Sequence, residues 1–390
     1  MYFCLSRCVN RAFALFFAVS MLTSQYAQGE EQWFADYAKH VKQEARKYRV
    51  PGYAMVYYQQ GKAPVIEVYG NTHKGGDAVT PDTVFRLASV SKTFTAVLMA
   101  KLVRQHQLDW STPVASLSTT LQSQGTMNPN LTLGHIVGQS SGYMPNAYDN
   151  LIEANYPLKR VLNQLAGLKP LCEPGECYTY QNALFGVIEE YFVGNNTSYH
   201  RQLREQILYP LGMETASAGK GGLLASEQWA RPHIAIARNR WREGHVESNY
   251  YRFSPAAGVN ASINDMTRWL QAMLLEFPTV VPEDVITDVT TPRVKTTREV
   301  YRRGWRDKLT DAHYGFGWRI YDYAGETLNY HGGWVKGYRA DVSFSPKYRA
   351  GYVMLMNAES NLINTTTADF WRTYFQEAKR QQQQTTSVGN

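Results

Sequence analysis

The apolar pattern changes period within a few positions near residue 84. Val84, Phe85 and Leu87 form a short, nearly continuous apolar run. Val90, Phe94, Val97, Leu98 and Leu102 then recur at intervals of four, three, one and four, which holds one helical face against a core. Helical spacing also covers residues 31–48, through Phe34, Tyr37, Ala38 and Val41. Two strand-like runs, 53–58 and 65–69, follow and read as a hairpin joined across residues 59–64. A long middle region, about 105–310, is rich in helical pattern and loops. Strand character returns at 326–330, 338–344 and 351–356, followed by an amphipathic helix over about 366–379 with Phe370, Trp371, Tyr374 and Phe375. Residues 381–390 are polar and read as a disordered tail. Strands at both ends with helices between predict an α/β (mixed α+β) fold: one antiparallel sheet built from both chain ends, flanked by helices and interrupted by a large, mostly helical insertion.

Composition sharpens this picture at the N-terminus. Arg7 and Arg11 precede an apolar run over 12–22, and Ala27-Gln-Gly29 resembles a small-x-small cleavage site, so residues 1–29 read as an export leader. The remainder, 30–380, then divides into sheet-forming parts at about 31–104 and 311–380 and a helical part at about 105–310. The formal charge is +7, and losing the two leader arginines with no acid takes it to +5. That excess is spread out, nothing resembles a nucleic-acid module, and no stable membrane span remains once the leader is gone. Cys4 and Cys8 lie in the leader, leaving Cys172 and Cys177 around the Pro174-Gly175 turn. In an oxidising compartment, periplasmic or extracellular, this pair closes a small disulfide loop. No cluster of metal ligands lies near them in sequence, and the chemistry below requires no metal or organic cofactor.

Candidate chemistry starts where the period changes. Ser89 opens the helix after 84–87, and Lys92 follows three residues on, on the same face. A hydroxyl at a helix start meets free N–H groups and the positive end of the helix dipole. A partly desolvated lysine one turn away can take its proton. The letters alone are weak: Ser217-Ala-Gly-Lys220 repeats the spacing, in a glycine-rich stretch that reads as a surface loop. Taken alone, Ser89 also reads as a helix N-cap and Lys92 as a solvated first-turn residue.

The surrounding motifs distinguish them. Phe85-Arg-Leu-Ala-Ser-Val-Ser-Lys-Thr-Phe-Thr95 resembles the nucleophile segment of the serine β-lactamase and penicillin-binding protein superfamily, in its class C-like branch. Leu131-Thr-Leu-Gly-His-Ile-Val-Gly-Gln-Ser-Ser-Gly142 is similar to that family's helix and loop beside the site. Tyr180-Gln-Asn182 resembles its Tyr-x-Asn element, and His331-Gly-Gly333 lies where its third motif belongs. The segments 256–270 and 314–318 match framework stretches, so the likeness covers roughly residues 35–378. The resemblance implies Ser89 as nucleophile, Lys92 and Tyr180 as its proton acceptors, and Asn182 as a residue orienting Lys92 and binding a substrate carbonyl. It also implies His331, Gly333 and Trp334 along the substrate, with the amides of Ser89 and Trp334 holding an oxyanion. Two other readings are weaker. Tyr148-Asp-Asn150 repeats the Tyr-x-Asn spacing too close to the nucleophile. Gly138-Gln-Ser-Ser-Gly142 satisfies a nucleophile-elbow pattern around Ser140, but poor helix formers follow it.

One position departs from the family. Where a lysine followed by serine or threonine is usual, this chain has His331 and Gly332, removing a permanent cation and a hydroxyl that would bind a substrate carboxylate. On these grounds the sequence predicts a hydrolase acting through an acyl-enzyme on small amides, D-amino-acid peptides or esters, with a small-molecule or peptide partner, cell-wall-derived fragments among the candidates. A class C-type β-lactamase or D-alanyl-D-alanine carboxypeptidase is the runner-up, and a non-catalytic binder of cell-wall fragments is the reading from another class.

Overall fold

The computed structural model describes residues 32–123 and 128–388, with side chains to 383. The expected leader, Cys4 and Cys8 lie outside these residues. The chain divides into a large unit, Tyr48–Asp369, and a small one formed by the residues before and after it. In the small unit a helix over residues 32–47 contributes Trp33, Phe34 and Tyr37. Their rings meet Phe370 at centroid distances of 5.6, 6.4 and 5.5 Å.

The large unit is organised on an eight-stranded sheet. Its strands are β1 (Gly52–Gln59), β2 (Val65–Gly70), β3 (Val294–Lys295), β4 (Leu309–Tyr314), β5 (Arg319–Tyr323), β6 (Glu326–Val335), β7 (Tyr338–Ser345) and β8 (Ala350–Met356). The spatial order is β2-β1-β8-β7-β6-β5-β4-β3, every pair antiparallel. Strands from the two ends of the sequence therefore join, with Tyr53 opposite Met356 and Gln59 opposite Ala350. β8 is apolar and buried along its whole length, as a strand covered on both faces must be. One cover is the helix Ile263–Met273, which begins with a reciprocal capping box between Ser262 and Asp265 and brings Leu270 against Gly351. On β7 and β8, Thr367 donates to Asp341 Oδ2 and Thr366 to Met354 Sδ.

Between β2 and β3 the chain is mostly short helices, with two small sheets. Phe85–Arg86, Val259–Ala261 and Ser217–Ala218 form one, and His233–Ala237 pairs with Arg240–Glu243 in the other. The main sheet resumes at Val294, ahead of the boundary expected near 310. The final helix runs Leu362–Val388 rather than ending near 379, because the glutamine-rich stretch over 381–384 is adequate helix material once a helix is under way.

The helix Ser91–Arg104 is more deeply set than one apolar face requires. Every residue from Ser91 to Ala100 is buried, including Thr93 and Thr95. The polar groups are satisfied locally or across elements: Thr93 donates to the Val90 carbonyl, and Thr95 to those of Ser91 and Pro255. Ser91 Oγ accepts from the Val259 amide.

Candidate active site

The nucleophile candidate sits on a tight 3₁₀ turn, Ala88–Val90, immediately before that helix. Ala88 takes φ +51°, a left-handed conformation unfavourable for a residue with a Cβ, and one that neighbouring structure must enforce. From Thr83 to Ala100 all residues are buried except Ser89, which is half-exposed. Neither this turn nor the following helix has a side-chain cap, so Ser89 does not play the capping role that its letters also allowed. Its hydroxyl instead lies 3.5 Å from Lys92 Nζ.

Lys92 has no solvent exposure. Its ammonium nitrogen donates to Asn182 Oδ1 at 2.7 Å and to the Ala256 carbonyl at 3.0 Å, and it stands 4.8 Å from the centroid of the Tyr180 ring. Burial pushes its pKa down, Tyr180 and Asp149 push back, and the Arg319 charge lowers it further. A lysine so placed releases its proton more readily than one in water. Tyr180-Gln-Asn182 is thus brought to Lys92 across about ninety residues of sequence.

Asn182 has a second partner that the sequence did not disclose. Its Nδ2 donates to Asp149 Oδ2 at 2.8 Å, which fixes the amide so that Oδ1 faces Lys92. Asp149 belongs to the Tyr148-Asp-Asn150 stretch that duplicates the Tyr-x-Asn spacing. That stretch does not supply a second tyrosine; its middle residue holds the first motif's asparagine. Burial pushes Asp149 up to about 6, against the pull of Asn182 and Lys92.

The opposite wall is β6. Beyond Tyr330, its pairing with β5 ends, while pairing with β7 continues to Val335. The free edge faces the Ala88–Val90 turn. A Cβ on Gly333 would overlap the Leu87 carbonyl oxygen and lie 3.2 Å from Ala88 Cβ. Glycine is thus needed where strand and turn touch. Lys336-Gly337 forms a two-residue hairpin, with Val335 and Tyr338 paired above it. Alternation along an antiparallel ladder then directs the Trp334 N–H away from β7, towards the open edge. The Trp334 ring is 61 % exposed, with the Arg339 guanidinium 4.5 Å from its centroid.

His331 is placed differently from a substrate contact. It is fully buried, and the cavity is lined by Gly332, Gly333 and Trp334 but not by the imidazole. Nδ1 is 2.9 Å from the Gly332 carbonyl, which can only accept, so Nδ1 carries the proton. Nε2 then accepts from the Tyr314 hydroxyl at 3.1 Å and from Arg319 at 3.3 Å. Burial, together with the Arg319 and Lys92 charges, holds its pKa well below the usual range. It is a neutral acceptor. The space a Gly332 side chain would fill is occupied by the Tyr330 hydroxyl and Asp341.

A cavity of about 740 Å³ connects these groups, lined among others by Ser89, Asp149, Tyr180, Asn182, Glu299, Arg302 and Arg319. Its floor near Tyr180 is strapped in place. Gln139 Oε1 accepts from the Gln181 amide at 2.5 Å, the Thr179 amide donates to the Gln139 carbonyl, and the Asn146 amide donates to the Tyr180 carbonyl. The Cys172–Cys177 disulfide closes the turn leading into this segment, as its spacing suggested. Ser140 forms an isolated bridge with Thr179 and is followed by no helix, so it is not an elbow. Ser217 is in a short strand rather than a loop, and Lys220 reaches Ser248 Oγ. Among the described residues no group of three or more His, Cys, Asp or Glu converges as a metal site would.

A sheet closed by both chain ends, with a serine–lysine turn facing its open edge, defines the class of β-lactamase and transpeptidase-like folds. The chain belongs to the Beta-lactamase family, which matches residues 37–376. It is 24 % identical over 341 residues to an unguisins hydrolase of Aspergillus campestris, covering 83 % of this chain and 61 % of the relative. It is 25 % identical over 325 residues to a D-aminopeptidase of Gluconobacter oxydans, covering 79 % and 56 %. This chain thus spans about three fifths of the length of these curated relatives. A solved class C beta-lactamase superposes with TM-score 0.68 at 18 % identity, over 85 % of this chain and 93 % of that one.

Proposed function

We propose that this protein is an exported serine hydrolase that works through an acyl-enzyme on small amides, D-amino-acid peptides or esters. The observation that carries this reading is the isolation of Ser89 as the one half-exposed residue of a buried segment, 3.5 Å from a fully buried lysine. Ser89 Oγ attacks the carbonyl carbon while its proton passes to the Lys92–Tyr180 pair. The oxyanion is received by the amides of Ser89 and Trp334. Collapse breaks the bond to the leaving group, which takes the proton, and water then releases the acyl group by the reverse proton path. Relatives named D-aminopeptidase and unguisins hydrolase support amide or peptide substrates. The disulfide supports an oxidising compartment. Among the described residues no helix is long and apolar enough to cross a membrane.

Labelling with a fluorophosphonate tests the proposal. Wild type is expected to label and Ser89→Ala not to; an unlabelled wild type overturns the acyl-enzyme and favours a non-catalytic binder. A fluorescent penicillin run in parallel separates the runner-up, since rapid acylation and release would mark a β-lactamase.

A further inference from the structure

We propose that a basic hairpin at the rim of the cavity, with the hollow at its foot, docks this protein on an anionic phospholipid surface. This inference goes beyond the reading of Ser89 and does not rest on it. The hairpin pairs His233–Ala237 with Arg240–Glu243, and Arg238, Arg240 and Arg242 are all exposed on it. Over residues 229–246 four arginines accompany a single acid, Glu243, and that acid is paired with Arg231 at 2.9 Å. Arg238, Arg240 and Arg242 are left without an ion pair among the described residues. The positive excess that looked dispersed along the sequence is gathered here.

At the foot of the hairpin lies a cavity of about 270 Å³, lined by Lys220, Leu224, Trp229, Arg231, Glu243 and His245 among others. The Lys220 ammonium meets the Ser248 hydroxyl at 3.4 Å, a neutral partner that leaves its charge uncompensated. Arg231 commits Nη1 to Glu243 and keeps its other nitrogens. An ammonium and a guanidinium beside an indole suit a lipid phosphate, through charge-assisted hydrogen bonds and a ring at headgroup level. Leu224 is 47 % exposed at this foot and Ile236 54 % exposed on the hairpin. Apolar side chains set among unpaired cations are what a surface lying in the headgroup layer requires. A second copy of this chain would bring the same arginines against these and be repelled. A soluble polyanion would meet the arginines but gain nothing from Leu224 and Ile236.

The hairpin is a fixed projection. The Ala235 amide donates to Glu359 Oε2 at 3.2 Å, and the Gly337 amide donates to Oε1 of the same carboxylate at 3.1 Å. The His233 amide donates to the Gly337 and Asn357 carbonyls, and Trp241 Nε1 to the Tyr48 carbonyl at 3.1 Å. Its root is thereby tied to the turn between β6 and β7, and both Lys336 of that turn and Glu359 line the Ser89 cavity. Binding therefore spends little on ordering the contact surface. A lipid surface that holds the hairpin lies beside the mouth of the cavity.

Cosedimentation of the chain as exported with phospholipid vesicles provides the test. Equimolar phosphatidylglycerol and phosphatidylcholine vesicles are compared with phosphatidylcholine alone at low salt. Wild type is expected to bind the anionic vesicles about a hundredfold more tightly, which corresponds to about fivefold for each of three arginines, and to lose that preference as salt is raised. The combined variant Arg238→Ser, Arg240→Ser and Arg242→Ser should bind both vesicles alike, while the three arginine-to-lysine changes together should keep most of the preference. Ile236→Ser should weaken binding severalfold with the salt dependence unchanged. Melting temperature and fluorophosphonate labelling equal to wild type establish that each variant is folded, since none of these residues belongs to the Ser89 site. Equal binding of wild type to both vesicles, or a preference that survives loss of the three arginines, overturns the proposal. So does binding of soluble polyphosphate without binding of anionic vesicles, which would mark a polyanion site instead.

Discussion

Gly333→Ala is the sharpest single perturbation of the site, because its cost can be worked from one contact. The added methyl would overlap the Leu87 carbonyl oxygen and sit 3.2 Å from Ala88 Cβ. Carbon and carbonyl oxygen rarely approach closer than about 3.3 Å, so β6 and the nucleophile turn must part by about 1 Å. Ala88 is already in a left-handed conformation, and Leu87 is fully buried, so the turn has little freedom to yield. The strand moves instead, carrying the next amide, that of Trp334, out of place. Overpacking of this kind costs about 1–3 kcal/mol of stability. Misplacing a reacting group by about 1 Å, or losing one oxyanion donor, costs about a hundredfold in rate. The assay is the second-order rate of Ser89 labelling by a fluorophosphonate, measured beside the melting temperature. The variant should still fold, melt lower and label about a hundred times more slowly. Wild-type labelling by a folded Gly333→Ala protein would refute the account of β6 as the oxyanion wall.

Two further predictions follow from the buried charges. His331→Lys should not restore reactivity towards carboxylate-bearing β-lactams, contrary to what the motif alone suggests. The new ammonium would be buried with no carboxylate beside it and Arg319 within hydrogen-bond reach, costing about 3 kcal/mol or more; a stable variant with faster penicillin acylation would contradict this. For pH, burial raises both Asp149 and Asp341 from the ordinary carboxylate value to about 6. Between about pH 4 and 6 the folded state binds more protons than the unfolded chain, so stability present at low pH is lost as pH rises through this window. Asp149→Asn should therefore gain on wild type in melting temperature from pH 4 to pH 7, and a pH-independent difference would refute the assignment.

Elements with strong periodicity were legible in the letters. The helix Ser91–Arg104, the hairpin β1–β2 and the three strands β6–β8 all stand where alternating or helical spacing placed them. β4 and β5 escaped because Thr310, Asp311, His313 and Asp322 interrupt their apolar pattern. The stretch around Ser217 escaped for another reason. Small residues there read as a loop, but backbone pairing with Val259–Ala261 and the Asn260 side chain turn it into a strand edge. At the candidate site, order along the chain singled out Ser89, Lys92, Tyr180 and Asn182, which the structure brings together, since each belongs to a recognisable local motif. Asp149 and Arg319 belong to none. They enter through a hydrogen bond to Asn182 and a strand register, neither of which leaves a local signature. His331 shows the same limit from the other direction: its motif fixes its place on β6 but not that its ring turns inward to Tyr314 and Arg319.

The pairing of β1 with β8 also governs how this chain comes to be folded. Its central seam joins Tyr53 to Met356, so about 300 residues must exist before it can form. At ordinary synthesis rates β1 waits on the order of 15–60 s for its neighbour. During that wait it has only β2, and a lone hairpin is marginal in water. The apolar edge Gly52–Gln59 is thus offered to any other chain before it is offered to its own. Ribosome stalling or truncation ahead of Ala350 should accordingly yield aggregate rather than a smaller folded fragment, and holding the nascent chain apart from its neighbours becomes a condition of obtaining an intact Ser89 site at all.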